Sequence, residues 1–381
     1  MLKRLHLLLA LLILMVNAAM AQITTSGISG KITSDGENVI GATVTATHQP
    51  SGTVYRAVTN IDGRYTIQGM RPGGPYKVDI SYIGYKDKVI KNLNLSLGET
   101  ENISCSLQED AHQLQEVVVS GKAGLAASRT GAATSMTAEQ INNMPSITHG
   151  IADVARLNPQ LTVTNSGNMS FAGVNNRYNN FMIDGAANND VFGLASSGNN
   201  GGQAGAQPVS METIEQIQVS VAPFDVRQSG FTGGAINAIT KSGTNQFHGS
   251  AYYYGYNQDL IGTKYPYLDG TGYAPKYQKQ TQYNMGVTLG GPIIKNKLFF
   301  FANYERTNKE YPNLYGVDSG NSKVNTEQAK DILSMLQKIA EKQGVNFNDY
   351  YSNQDIYTKS DKAGLKLDWN INEFNKFAIR W

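Results

Sequence analysis

Hydrophobic and polar positions alternate with period two from Phe247 onward, in runs of about ten residues. In YNMGVTLGG, Tyr283, Met285, Val287 and Leu289 fall on one face, and Asn284, Gly286 and Thr288 on the other. Leu298, Phe300, Ala302 and Tyr304 share a face in KLFFFANYER. Ala363, Leu365, Leu367 and Trp369 share one in KAGLKLDWN, against Gly364, Lys366 and Asp368. Phe377, Ile379 and Trp381 oppose Ala378 and Arg380. Successive strand side chains point to opposite sides, so each run predicts a strand with one apolar and one mixed polar face.

Short turns, Pro292–Lys297 and Ile371–Lys376, alternate with long segments, Asn257–Gln282 and Thr307–Ser360. With Tyr and Trp repeated near strand ends, this is the pattern of a transmembrane barrel with its long segments on the outer side. A soluble sheet also alternates, but carries terminal Tyr and Trp less often. Inside the second long segment, Ala329, Ile332, Leu333, Leu336, Ile339 and Ala340 recur at helical spacing. Asn325 as a cap and Gly344 at the end predict a helix over the barrel mouth.

Earlier in the chain the rhythm is shorter. Between Ile28 and Leu107, runs such as Ala42–Thr47, Tyr65–Gln68 and Tyr76–Tyr82 are separated by turns at Asp35-Gly36, Asp62-Gly63 and Pro72-Gly73-Gly74. They predict a small β-sandwich. Glu109–Ala133 then changes texture: LQEVVVSG is followed by a small-residue tract, KAGLAASRTGAATS, with too few large apolar groups to fold by itself. Ala138–Asn158 has helical stretches, with Ile147, Ile151, Val154 and Ala155 on a shared face and Pro159 after the end. Strands are expected at Leu161–Thr164, at Ile214, Ile217, Val219 and Val221, and at Ala235–Thr240; a Gly-rich bend, Gly230–Gly234, joins the last two.

Composition narrows the function classes. Met1–Ala21 has Lys3 and Arg4, an apolar run Leu5–Val16 and an A-x-A site, and is expected to be a signal peptide. The formal net charge is +2 with 16% charged residues, which gives no basic patch for nucleic acid. The single cysteine, Cys105, excludes an intrachain disulfide and reads as a small buried hydrophobe. No HExxH, GxSxG or GxxxxGK motif is present, so no enzyme, metal or cofactor is expected. His149 and Asp153 read as a solvated helix face.

The run IEQIQV, the Gly-rich turn and GGAINAITKSGTNQFHGSAYYY resemble the end of the plug and the first wall strand of a TonB-dependent outer-membrane receptor, most closely the Oar-like branch. The pattern GATV, NIDGRYTI and RPGGPYKVDISYIGY is similar to the carboxypeptidase-regulatory-like domain, a prealbumin-like, carbohydrate-binding-like fold. NNRYNNFMIDG resembles the family's plug core, ending in an Asp184-Gly185 turn. One residue departs from the family pattern: Ala172-Gly173 stands where Arg-Gly is expected, which leaves Arg177 and Arg227 as candidate substitutes for the arginine that pairs plug with wall.

The resemblance implies a mainly β chain: leader 1–21, prealbumin-like β-sandwich 22–108, linker 109–136, α+β plug 137–246, and the first strands of an incomplete transmembrane β-barrel, 247–381. About five wall strands fit after Gln246, against about 22 in the family, so the chain is expected to be the N-terminal part of a longer protein. The resemblance also places a TonB box on Leu114, Gln115, Glu116, Val117, Val118, Val119 and Ser120. A short β-prone strand on flexible flanks can add itself to another protein's sheet edge. Equally, from its own residues, EVVVS reads as the last strand of the sandwich.

The partners implied are TonB with its ExbB-ExbD motor, outer-membrane lipid and a surface substrate-binding lipoprotein. The location implied is the outer membrane, with the N-terminal domain in the periplasm. The expected function is TonB-gated uptake; the alternative is a non-transporting barrel for adhesion or envelope organisation. In the Gly/Asn/Ser-rich stretch Ala186–Gln207, Asn188, Asn189 and Asp190 are candidates for substrate contact, although a plain loop accounts for them too. Their spacing does not match an EF-hand.

Overall fold

The computed structural model describes residues 23–109, 117–120, 132–146, 149–164, 169–190, 192–193, 195, 197–221, 228, 230–260, 279–313, 324–345, 355–373 and 375–381. The expected leader Met1–Ala21, Leu114–Glu116 of the expected box, Ile147 and Arg227 lie outside these residues. The chain forms two compact units. One takes residues up to Ser250 with Thr288–Asn303 and Gly364–Trp381; the other takes Ala251–Val287 with Tyr304–Ala363. Among the described residues, no helix is long and apolar enough to cross a membrane.

The first unit opens with two sheets packed as a sandwich. Its strands are β1 (Ser26–Ser34), β2 (Glu37–Asn38), β3 (Thr43–His48), β4 (Thr53–Val58), β5 (Arg64–Met70), β6 (Gly73–Ser81), β7 (Lys88–Leu95), β8 (Thr100–Asn102), β9 (Cys105–Ser106) and β10 (Val117–Ser120). One sheet runs β2-β1-β5 with β8 and β9 parallel to β1; the other runs β10-β7-β6-β3-β4. The predicted alternation is what closes it: Val44, Ala46, Tyr76, Val78 and Ile80 face Ile28, Ile32, Ile67 and Met70 in one core. Asp35 and Gly36 both take positive φ, as a two-residue hairpin turn needs. Half-buried Cys105 packs against this core, and burial raises its thiol pKa.

The plug follows with β11 (Ala132–Thr137), α1 (Ala138–Asn143), α2 (Ile151–Ala155), β12 (Leu161–Val163), β13 (Met169–Phe171), β14 (Asn180–Ile183), β15 (Ala186–Ala187), β16 (Ile214–Val221) and β17 (Gly234–Thr240). Its main sheet runs β11-β16-β17-β14-β15. β11 lies in the tract read as linker. Its small residues hold a strand because β16 supplies a six-residue ladder, Ala132↔Val221 to Thr137↔Gln216. Thr137 then caps α1 with a reciprocal Gln140 bond. Asp153 corrects the reading of a solvated helix face: it is 8% exposed and accepts a 2.6 Å bond from Ser146 Oγ. A separate apolar core, including Ile151, Val154, Phe171, Ile217 and Val219, lies within the plug.

The wall is one five-stranded sheet in chain order, β18 (His248–Asn257), β19 (Thr281–Ile294), β20 (Leu298–Tyr311), β21 (Ile356–Asn370) and β22 (Lys376–Arg380), the last two antiparallel, with helix α3 (Thr326–Gln343) between β20 and β21 in sequence. One face of the wall exposes apolar side chains, while the other buries polar ones together with Phe299 and Phe301. Val287 and Leu289 are 53% and 51% exposed and Phe377 and Ile379 are 52% and 53%, while Thr288, Glu305, Thr307 and Asp368 are buried. α3 starts on a capping box, Asn325 with Gln328, and stops at Gly344 in the left-handed region.

In the sandwich, His48 is buried, with Nδ1 2.7 Å from Ser51 Oγ and its ring against Tyr76. Burial, and then the charge of Arg71, push its pKa down to about 3. The folded imidazole therefore stays neutral, while the unfolded one takes a proton as pH falls below about 6.5. Stability present above that pH is lost downward toward about 3, at up to about 1.4 kcal/mol per pH unit. Amide protection factors in β3 and β6 of the intact protein, with the pH dependence of intrinsic exchange divided out, should fall as pH drops through this window, and His48→Gln should flatten the dependence. Wild-type protection factors that stay constant from neutrality to pH 4 would contradict this.

Candidate functional site

Of the expected box, the described part is Val117–Ser120. These residues form β10, parallel to β7 at the free edge of the second sandwich sheet, with Val117 opposite Lys88, Val118 opposite Val89, Val119 opposite Ile90 and Ser120 opposite Lys91. The strand that could serve another sheet thus sits on an edge of its own, the placement that the last-strand alternative requires. An edge strand leaves a row of N–H and C=O groups for a further partner.

The plug meets the wall through an acid. The Asp184-Gly185 turn ends β14, with Asp184 N bonded to Ala238 O. Asp184 Oδ1 accepts from Thr240 N at 2.8 Å, and Oδ2 accepts from Thr240 Oγ1. Lys366 Nζ of β21 lies 3.5 Å from Oδ1 and donates to Thr240 O at 3.0 Å; Arg380 Nη1 of β22 lies 3.4 Å from Oδ2. Lys366 and Arg380 are direct cross-strand partners. Like charges in that position repel, and Asp184, only 17% exposed at its side chain, sits between them.

Among the described residues, a contact that pairs plug with wall is thus made by Asp184 with Lys366 and Arg380, neither of them the arginines expected from sequence. Arg177 is exposed, its guanidinium beside Gly193, and Arg227 lies outside the described residues. The polarity is reversed, with cations on the wall and the carboxylate on the plug. Lys366 and Arg380 carried a signal in sequence, since both stand on the polar face of an alternating strand; their mutual register did not.

Asn188, Asn189 and Asp190 are brought together, but as parts of their own loop. Asn189 accepts from Phe181 N at 2.7 Å and donates to Asn180 Oδ1 at 3.0 Å. Asp190 accepts from the N–H groups of Phe192 and Ala195, and its own N–H reaches Gly198 O. Asn188 Oδ1 is buried without a partner among the described residues. In the second unit, Glu305 accepts from Tyr252 Oη at 2.8 Å and pairs with Lys362. No cluster with metal-ligand geometry occurs among the described residues.

Three family models match in order: Carboxypeptidase regulatory-like domain over residues 27–108, TonB-dependent Receptor Plug Domain over 126–236, and Outer membrane beta barrel domain over 239–320. The chain is 29% identical over 273 residues to the TonB-dependent transporter Oar of Myxococcus xanthus, covering 68% of this chain and 24% of the relative. It is 25% identical over 188 residues to the probable TonB-dependent siderophore receptor PirA of Acinetobacter baumannii, covering 45% and 22%. The crystal structure of siderophore receptor PirA from A. baumannii aligns with a TM-score of 0.40 at 19% identity, over 65% of this chain and 39% of that one. The chain thus spans about a quarter of the length of the curated relatives it matches. In order along the chain, then, stand a carboxypeptidase regulatory-like domain, a TonB-dependent receptor plug domain and the start of an outer-membrane β-barrel domain.

Proposed function

We propose that the protein takes up a substrate across the outer membrane, with the plug closing the barrel until TonB pulls on the box at Leu114–Ser120. The domain division that goes with this is 22–108 sandwich, 109–136 linker with box, 137–246 plug and 247–381 wall, β11 being the start of the plug sheet. The observation that carries the proposal is the plug seat: Asp184 neutralises two wall cations that would otherwise face each other. A plug held by charge in a polar lumen can be released without exposing its apolar core.

TonB with its ExbB-ExbD motor would supply the pull, and a surface lipoprotein would hand over substrate. One relative is named a siderophore receptor. Here selectivity would reside in the outer segments Asn257–Gln282 and Thr307–Ser360. Signalling from an outer ligand to the box requires the ligand to bind two plug states with different affinity.

In cells making the full-length protein, Val118→Cys should form a disulfide adduct with a cysteine in TonB, more of it when the membrane is energised. No adduct in either condition would count against the box. For the plug seat, Asp184→Asn keeps the shape and removes the charge. Arg380 is a third exposed, so the cost falls below the 3–5 kcal/mol of a fully buried pair, at about 1–3 kcal/mol. Protease protection of the plug should drop accordingly, and adding Lys366→Gln should restore part of it. Unchanged protection in Asp184→Asn would remove the seat.

A further inference from the structure

The two faces of the plug sheet differ in chemistry. Ile217 and Val219 of β16 close the plug core, whereas Gln216 and Gln218 point the other way and are 2% and 7% exposed. Buried amides are costly unless bonded, and the sandwich supplies the bonds. Leu97 N donates to Gln216 Oε1 at 2.8 Å, and Gln218 Nε2 donates to Leu97 O at 2.8 Å. Two side chains of one strand thereby grip both polar groups of a single sandwich residue. Asn237, directly opposite Gln218 in the plug sheet, donates from Nδ2 to Ile23 O at 2.6 Å.

The sandwich also reaches the short-turn end of the wall. Asn245 N donates to Pro50 O at 2.9 Å, and Asn370 Nδ2 to Thr53 Oγ1 at 2.9 Å. Arg71 lies 3.6 Å from Asp368, and Arg56 pairs with Glu373 at 2.8 Å. Short turns face the periplasm, so the sandwich covers the periplasmic side of the plug.

This seam is made to part. Sandwich and plug each close a core of their own, and neither Leu97 nor Ile23 belongs to either core. Separation would expose amides and charged groups, which water solvates readily, together with the apolar side chains of Leu97 and Ile23, 0% and 5% exposed when docked. The docked state even leaves one acceptor unsatisfied: buried Asn237 Oδ1 has no partner among the described residues. The box strand β10 lies along β7, and β7 ends at Leu95, two residues before the gripped Leu97. One strand therefore carries both the box pairing and the approach to the clasp.

We propose that the N-terminal sandwich is a detachable stopper, clasped by Gln216, Gln218 and Asn237 over the periplasmic face of the plug, and that traction on the box strand beside β7 lifts it away before the plug moves. This rests on the TonB-coupled reading above and adds the order of release.

The test uses the full-length receptor in cells, with Cys105→Ser as background and Leu97→Cys or Ile23→Cys as reporters. Both positions are buried at the seam but bond through backbone, so the clasp survives either change. A small water-soluble maleimide should label both reporters severalfold faster in energised cells than in cells lacking TonB or treated with a protonophore. Adding Gln216→Ala with Gln218→Ala to Leu97→Cys should raise labelling without energy. Equal labelling in energised and de-energised cells overturns the stopper. If the Val118→Cys adduct with TonB still forms there, only the stopper falls; if it is also absent, TonB coupling falls with it.

Discussion

A sheet that crosses hydrocarbon must pair its backbone N–H and C=O groups within itself and turn apolar side chains outward. Its polar side chains are then left inside, where they need partners. That constraint accounts for the burial pattern of the wall, with Val287, Leu289, Phe377 and Ile379 exposed and Thr288, Glu305 and Asp368 covered. It also accounts for the chemistry of the plug. Lys366 and Arg380 can stand opposite each other on adjacent strands because Asp184 enters between them, itself fixed by Thr240 N and Oγ1. Charge matching, rather than apolar packing, seats the plug against these strands.

The same economy of apolar surface runs through the N-terminal half. Sandwich and plug each close an apolar core of their own, and they meet through main-chain groups and amides, with Leu97 and Ile23 buried beside them. Domains joined in this way keep their own stability when separated, which a fused apolar core would not allow.

Much of this was legible in sequence, and the limits have physical causes. Alternation placed the wall strands and their faces because period two survives whether the apolar side meets core or lipid. Asp-Gly turns placed the sandwich strands for a local reason, the need for positive φ. The role of Asp184 was hidden because its turn already explained it, and its partners come from strands far along the chain. β11 was hidden because its small residues carry no periodic signal and only the β16 ladder makes them a strand. In β16, Ile214 and Ile217 both reach the plug core although strict alternation separates them. The register shift between Ile214 and Gln216 absorbs the extra residue and turns the two glutamines toward the sandwich. The β-prone run Val117–Ser120 was legible, but its docking on β7 depends on an edge that only the folded sandwich presents.

The most direct measurement is of which side of a wall strand meets lipid. Spin labels placed one at a time at positions 285 to 290 of the full-length receptor in bilayers would report collisions with lipid-soluble oxygen and with a water-soluble nickel chelate. The account predicts strong oxygen contact at 285, 287 and 289 and protection from it at 286, 288 and 290. Uniform access by the water-soluble probe, with no alternation, would contradict it.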